Sequence, residues 1–253
     1  MKLPGLLHLT ICLASLSSLC LSVRGQYLRV GISGSIPIDK LETMNDALPI
    51  ADPAQRSDLL KRLGIEAPVA EAATSARLPA DIQIQSLHTR SGKLYGIISL
   101  PCGLQGQAFL YLLDEVGTNT WHVADHIALD CFHGTPAYHL LSLAPGEDSV
   151  FVQHAHSGHG SGEVEDKAAL YTIHNGRMHQ VLSTVDYISR QEPSYSSPPV
   201  EQKSSFLQLP NGVIEETRIT SQNDSLLRAE RRIWRWSTNQ RAFSTTPFHA
   251  ICD

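Results

Sequence analysis

Residues 169–182 read Ala-Leu-Tyr-Thr-Ile-His-Asn-Gly-Arg-Met-His-Gln-Val-Leu, two apolar runs separated by the dipeptide Asn175-Gly176. A two-residue loop of this composition favours a type I′ turn, whose backbone twist matches that of the strands on either side. The segment is therefore predicted to be an antiparallel β-hairpin. It is the strongest hairpin signal in the chain, and further strand patterns lie on both sides of it.

Upstream of this hairpin the sequence repeats with the period of a β-strand. Ile82 and Ile84 alternate with glutamine, and apolar runs follow at residues 94–100, 107–114 and 120–130. Glycine-containing turns separate these runs. The spacing is typical of a β-meander, in which consecutive strands pair with one another.

The 120–130 run contains four large apolar residues at odd positions, spaced to lie on one face of a strand: Trp121, Val123, Ile127 and Leu129. Downstream, Asn211-Gly212 and Asn223-Asp224 mark two more hairpins. Together these patterns predict a mainly β fold, in which an antiparallel meander and hairpins form a sandwich or barrel-like domain over residues 81–253.

Residues 1–25 have the features of a secretory signal peptide. Lys2 supplies a positive charge, residues 6–21 are an apolar core, and Val23-Arg24-Gly25 precedes a cleavage point before Gln26. A retained membrane anchor would need roughly 20 apolar residues, and this run is shorter and interrupted by serine and threonine. We therefore expect a secreted or periplasmic protein with no transmembrane segment after its leader.

Residues 26–80 are expected to form an N-terminal extension with one short helix. Asp52-Pro53 is typical of a helix start, leucines at 59, 60 and 63 form an apolar stripe, and Gly64 follows as a C-cap. The helix is predicted over 53–63. Residues 66–80 are rich in alanine and contain two prolines, a composition that favours a linker with a domain boundary near Pro79.

The composition is that of an ordinary globular protein, with 253 residues, 42% hydrophobic, 18% charged, and a formal net charge of -5. A chain of this length can bury a substantial core, which argues against disorder across the whole chain. Apart from an arginine cluster in residues 228–235, the basic residues are scattered. The sequence offers no broad basic face for a phosphate backbone, so nucleic acid is not expected as a partner.

Three cysteines follow the leader, at Cys102, Cys131 and Cys252. Export favours oxidation, and an odd number means that at least one thiol stays free or pairs outside the chain. If the three apolar runs between 94 and 130 are successive antiparallel strands, the first and third run in the same direction and end at the same edge. We therefore predict a disulfide between Cys102 and Cys131, the alternative being three free thiols.

Residues 151–162, Phe-Val-Gln-His-Ala-His-Ser-Gly-His-Gly-Ser-Gly, place three histidines at the end of a strand pattern. His154 and His156 would share a strand face about 6.6 Å apart, and the Ser157-Gly158 pair could turn His159 back toward them. Neutral imidazole is a good ligand for zinc or copper. The pattern predicts a metal site formed by these histidines, the alternative being a glycine-rich surface loop that happens to be rich in histidine.

The hexapeptide His-Ala-His-Ser-Gly-His, residues 154–159, resembles the His-x-His-x-Asp-His signature of the metallo-β-lactamase superfamily, and it too follows an apolar strand. The resemblance implies that His154, His156 and His159 bind zinc in a hydrolase whose metal lowers the pKa of a bound water. It covers six residues. Gly158 stands where the family has the aspartate that binds the second metal, and a hairpin pattern stands where a helix would be expected.

Residues 231–236, Arg-Arg-Ile-Trp-Arg-Trp, place Arg232, Trp234 and Trp236 on one face of a strand. If that face is exposed, it could stack on a sugar ring or bind an acidic partner. If it is buried, the tryptophans would instead close the core, because large aromatic side chains are mostly buried.

The sequence favours a binding or structural role over a catalytic one for an exported, soluble, mostly β protein. A glycan or a protein is the expected kind of ligand, with the 232–236 face as its candidate site. The alternative is a zinc-dependent hydrolase that uses the three histidines. No P-loop, dinucleotide-binding glycine motif or Gly-x-Ser-x-Gly nucleophile motif occurs in the chain.

Overall fold

A computed structural model describes residues 34–75, 82–101, 106–117, 120–130, 136–157, 163–191 and 197–251, with only the backbone described for Ser75, His156 and Ser157. These residues belong to one compact unit. The described part contains three helices and thirteen strands, which confirms the mainly β fold. None of its helices is long and apolar enough to cross a membrane.

The helices precede the strands in the chain, and the strands form two antiparallel sheets. The helices are α1 (Leu41–Ala47), α2 (Pro53–Arg62) and α3 (Ala67–Ser75). The smaller sheet has the order β1-β2-β3-β4, with β1 (Gln83–His88), β2 (Leu94–Leu100), β3 (Gln107–Glu115) and β4 (Trp121–Asp130). The predicted meander over these residues is therefore confirmed.

The larger sheet has nine strands, from β5 at one end to β12 at the other in sequence order, while β13 also pairs with β11. Its strands are β5 (Ala137–Ala144), β6 (Glu147–Ser157), β7 (Glu163–His174), β8 (Arg177–Arg190), β9 (Val200–Leu209), β10 (Val213–Gln222), β11 (Ser225–Ser237), β12 (Ala242–Thr245) and β13 (His249–Ala250). Because its strand order has two ends, the described strands form an open sheet.

The hairpin predicted over residues 169–182 forms between β7 and β8, with His174 opposite Arg177. Asn175 and Gly176 have φ values of 51° and 71°, the left-handed conformation that a type I′ turn requires at both positions. The two downstream turns, Asn211-Gly212 and Asn223-Asp224, also have positive φ at both residues. All three hairpin predictions are confirmed.

The two sheets pack face to face over a shared apolar layer. The smaller sheet contributes Leu87, Tyr95, Ile97, Leu110, Leu112 and Leu129, and the larger sheet contributes Val150, Val152, Ala169, Tyr171, Ile173 and Met178. The arrangement is a β-sandwich, one of the two architectures that the sequence left open.

Helices cover the other face of the smaller sheet. The predicted helix appears as α2, where the Asp52 side chain accepts a hydrogen bond from the Gln55 amide at 2.8 Å and the Gln55 side chain accepts one from the Asp52 amide at 3.1 Å. The sequence predicted one helix in this region, whereas the described residues form three, because α1 and α3 are also present. The stretch 66–80, interpreted as a linker, thus begins with a helix, while the predicted boundary near Pro79 lies outside the described residues.

A β-bulge corrects the prediction that four apolar residues of β4 share one face. The register with β3 shifts at Leu112/Leu113, so that Asp125 pairs with Leu112 but Val123 pairs with Leu113. The extra residue reverses the faces of the strand. Trp121 and Val123 therefore pack with the helices, whereas Leu129, with Ile127 beside it, packs in the sandwich layer.

The larger sheet is strongly coiled. The face that is turned away from the smaller sheet is therefore concave. This concave face encloses a third apolar cluster, which joins β5–β8 to β10 and β11: Leu143, Phe151, Ala168, Leu170, Leu182, Ile214, Trp234 and Trp236. The turn between β9 and β10 closes on β5, where Gln208 Nε2 donates to the Ser142 oxygen at 2.6 Å. A Cβ atom on Gly212 would lie 2.7 Å from the Leu143 oxygen, so this closure requires glycine.

Candidate functional site

The histidine candidates lie at the end of β6. The Nδ1 atom of His154 is 2.9 Å from the backbone oxygen of Asp130, at the end of β4. Since a carbonyl oxygen only accepts, Nδ1 is the donor of this hydrogen bond. His156 pairs in register with Glu165 of β7. The side chain of His156 and the whole of His159 lie outside the described residues.

The metal site therefore stays a prediction. Within the described ranges, no three His, Cys, Asp or Glu side chains form a metal-ligand group. If the three imidazoles converge, the purified mature protein should carry about one equivalent of zinc or copper, and His156→Ala should lose it. Metal analysis of both proteins checks this. A wild type without stoichiometric metal would end the metal-site and hydrolase interpretations together.

All three cysteines lie outside the described residues, so the disulfide between Cys102 and Cys131 also stays a prediction. Its premise is confirmed, since β2 and β4 flank β3 and run in the same direction. Both strands end close to these cysteines in sequence, at Leu100 and Asp130. Thiol counting under denaturing, non-reducing conditions checks the pairing.

Arg232, Trp234 and Trp236 lie together on the concave face of the larger sheet. Each tryptophan is 9% exposed and belongs to the third apolar cluster. The guanidinium of Arg232 lies 4.3 Å from the centre of the Trp234 ring. The shared face predicted from the sequence is present, and in this structure it contacts the core.

Glu216 on β10 is the centre of a buried polar network on the same face. Its side chain is fully buried and paired across the sheet with Arg232. Five side-chain donors surround the carboxylate: Arg232 Nε at 2.6 Å, Trp234 Nε1 at 2.9 Å, Ser204 Oγ at 3.0 Å, and Thr184 Oγ1 and Arg218 Nη2 at 3.3 Å. We call this set the Glu216 network. Its anion is fully satisfied from within the protein, which is the arrangement of a structural ion pair.

The aromatic ring of Phe248 covers the two arginines of this network. The guanidinium carbons of Arg218 and Arg232 lie 3.9 Å and 4.3 Å from its ring centre. Burial lowers the pKa of the Arg218 guanidinium, and the neighbouring Glu216 carboxylate opposes that shift. The C-terminal segment therefore shields the charged end of the concave face from water.

Asp186 on β8 is a second acidic group beside the network. Its side chain accepts a hydrogen bond from Gln153 Nε2 at 2.8 Å, while its Oδ1 is buried without a partner among the described residues. Burial raises the pKa of Asp186 above its ordinary value. The bond from Gln153 opposes this shift, and the negative charge of Asp166 adds to it.

This shift predicts a pH dependence of stability. The folded state holds the Asp186 proton more strongly than the unfolded chain does. Its contribution to stability is therefore complete below the ordinary pKa of 3.8 and is lost as the pH rises through the raised folded value. Asparagine does not ionise, so Asp186→Asn should reduce this loss of stability. As the pH rises above about 4, the free energy of unfolding of the variant should fall less than that of the wild type. Urea unfolding at a series of pH values checks this, and parallel pH profiles would contradict it.

Four turns meet at one end of the sandwich around a cleft of about 370 Å³. The turns are β1–β2, β5–β6, β7–β8 and β11–β12. The lining consists of residues 89–91 and 173–175 together with Tyr95, Glu147 and Arg241. We call this space the turn cleft. Loops held at one end of a rigid sandwich are a common location for binding sites.

Glu147 is the unusual residue of the turn cleft. It is 4% exposed, and its Oε2 accepts no hydrogen bond from the described residues. Its Oε1 lies 3.9 Å from Arg241 Nη2, which itself donates to the Ile173 oxygen at 3.2 Å. A buried carboxylate normally receives several hydrogen bonds, so this one retains unused acceptor capacity beside the cleft that Glu147 lines.

The sequence contains a weak signal for Glu147. The residue follows the turn-forming dipeptide Pro145-Gly146, and on β6 it alternates with Ser149 and Phe151, which are both buried. A charged residue at the inward position of a strand is a candidate functional residue. Its partners in the cleft come from turns far away in the chain, which no local pattern connects.

Together, the fold and the turn cleft define this chain as an antiparallel β-sandwich with an under-satisfied acidic residue in a cleft at one end. No protein-family model matches the chain, and neither the curated proteins nor the solved structures contain a match.

Proposed function

We propose that this chain is an exported binding protein that holds a small polar ligand in the turn cleft. Export is proposed from the leader at residues 1–25. Binding is supported by the position of the cleft, where turns and the ends of strands supply the polar groups. The zinc-dependent hydrolase remains the alternative, because it rests on histidine side chains outside the described residues.

The observation that carries this proposal is the unpaired oxygen of Glu147. Leaving a buried acceptor without a donor costs about 1–3 kcal/mol, and more when the group is charged. The Glu216 network shows that the same fold can satisfy a buried carboxylate completely where its role is structural. A carboxylate left incomplete beside an open cleft is instead suited to a donor that arrives with a ligand.

A stability measurement distinguishes these roles. Glu147→Met keeps a side chain of similar length without a charge, and it should raise the free energy of unfolding of the ligand-free protein by about 1–3 kcal/mol. Arg241 is one-third exposed and can reach water when its partner is removed. Urea denaturation checks the expected gain.

The matched control is Glu215→Met. Glu215 Oε2 also lies 3.9 Å from an arginine nitrogen, on Arg231, but its side chain is 25% exposed. This change should alter stability by no more than about 0.5 kcal/mol. Destabilisation by Glu147→Met would show that the carboxylate supports the fold, and it would count against a binding role.

Binding itself is tested with a defined mixture of small amino acids, sugars, carboxylic acids and amines. Ligand-observed NMR should detect contact between at least one component and the wild-type protein. Glu147→Gln should abolish that contact, while Glu215→Gln should preserve it. The proposal fails if no component contacts the wild type, or if contact persists unchanged in Glu147→Gln.

A further inference from the structure

We propose that the ligand of the turn cleft is a small zwitterion of the α-amino-acid class, with its ammonium group on Glu147 and its carboxylate on Arg90. The inference rests on the proposed binding function and assigns a chemical class to the ligand. It follows from the charges that the four turns bring together, from their degree of burial and from the size of the cleft.

The acidic side of the site calls for a cationic donor. Glu147 is almost completely buried, and its nearest cation is 3.9 Å away, beyond hydrogen-bonding distance. A neutral hydroxyl group would satisfy one lone pair and leave the charge poorly compensated. An ammonium group both donates a hydrogen bond and neutralises the carboxylate, and such charge-assisted bonds are about twice as strong as neutral ones.

The basic side of the site calls for an anion. Two guanidinium groups line the cleft, and Arg241 is already directed toward Glu147 and the Ile173 oxygen. Arg90, in the β1–β2 turn, is exposed and provides the second positive charge. Guanidinium groups bind carboxylates through two parallel hydrogen bonds. Arg90 can therefore bind a ligand carboxylate while Glu147 binds the ammonium group, and a zwitterion leaves the net charge of the cleft unchanged.

The size and walls of the cleft fit a molecule of this class. Its volume of about 370 Å³ lies at the lower end of the range for small-molecule sites. Tyr95 is 5% exposed and Ile173 is 6% exposed, so both present fixed apolar surface next to the charged groups. They can contact the carbon skeleton of the ligand while its two charged ends bind opposite sides of the site.

The test uses glycine, leucine, glutamate and lysine as zwitterions, together with isocaproate, isoamylamine and glucose. Isocaproate and isoamylamine are analogues of leucine without the ammonium group or without the carboxylate. At least one amino acid should bind the wild-type protein in calorimetric titration. Where leucine is that ligand, each analogue should bind about tenfold more weakly or worse, and glucose should not bind.

The variants test the two contacts separately. Glu147→Gln and Arg90→Gln should each weaken amino-acid binding by about tenfold or more. The matched controls, Glu215→Gln and the exposed Arg235→Gln, should stay within about twofold of the wild type. Circular dichroism of every variant establishes that the fold is intact before binding is compared.

The outcomes separate this inference from the function on which it rests. If glucose, the amine or the carboxylic acid binds as tightly as the amino acids and depends on Glu147, the zwitterion is ruled out while the binding function stands. If an amino acid binds equally well to Glu147→Gln, the assignment of its ammonium group is wrong. If none of the probes binds the wild type, the inference and the proposed function both fail.

Discussion

Replacing Glu216 with alanine should lower the free energy of unfolding by about 3–5 kcal/mol, because it leaves buried charges without their partner. Arg232 would lose its 2.6 Å bond, and Trp234 Nε1 would lose its 2.9 Å bond, with both groups still enclosed by the concave face. Arg232 is 16% exposed, and among the described residues the hydrogen bond that it would keep is the 2.7 Å bond to Thr184. Urea denaturation monitored by circular dichroism measures the loss.

The neighbouring residue provides a matched control. Glu215 precedes Glu216 on β10 and points to the opposite face, where its side chain is 25% exposed and 3.9 Å from Arg231. Glu215→Ala should change stability by no more than about 0.5 kcal/mol. If the two alanine variants unfold at the same urea concentration, the Glu216 network does not stabilise the fold.

The parts of the fold that the sequence predicted best depend on local chemistry. A type I′ turn needs positive φ at two adjacent residues, and Asn-Gly meets that requirement with little strain. The turn at Asn175-Gly176 could therefore be located without knowing what its strands contact. The same reasoning located the turns at residues 211–212 and 223–224, and the capping residue Asp52 located the start of α2.

The two helices that the sequence did not predict form through tertiary packing. Helix α1 has seven residues and α3 has nine, too short to be stable alone. Leu41 of α1 packs against Gly96 so closely that a Cβ atom there would be 2.8 Å from Leu41 Cδ2. Ala70 and Ala73 of α3 are buried in the same cluster. An alanine-rich segment resembles a linker until the sheet that it covers is known.

Neither the bulge in β4 nor the turn cleft could be predicted from the sequence, and the reasons are related. A single unpaired residue in a β-bulge reverses the faces of a strand but does not change the hydrophobic pattern of the sequence. The sequence therefore predicted a regular alternation over residues 121–129. The cleft combines Arg90 and Arg241, from two different turns, with Glu147 at the start of β6. Each is an ordinary polar residue near a turn in sequence, and only the coiling and packing of the sheets bring them together.

Substitution of Trp236 tests whether the aromatic residues of β11 close the core or bind a ligand. Its ring lies 5.2 Å from that of Phe243, and its Cβ lies 2.8 Å from the position of a Cβ on Gly212. Removing a buried tryptophan side chain leaves a large cavity, so Trp236→Ala should lower the free energy of unfolding by about 3–5 kcal/mol. Differential scanning calorimetry and urea denaturation measure the loss.

The conservative variant separates packing from polar contact. The Nε1 atom of Trp236 is buried and has no hydrogen-bond partner among the described residues, so Trp236→Phe removes an unsatisfied donor and keeps an aromatic ring. It should cost less than about 1.5 kcal/mol, far less than alanine. A Trp236→Ala protein that remains as stable as the wild type but no longer binds a glycan would contradict the core role. Such a result would instead support the sugar-stacking role that the spacing of Arg232, Trp234 and Trp236 first indicated.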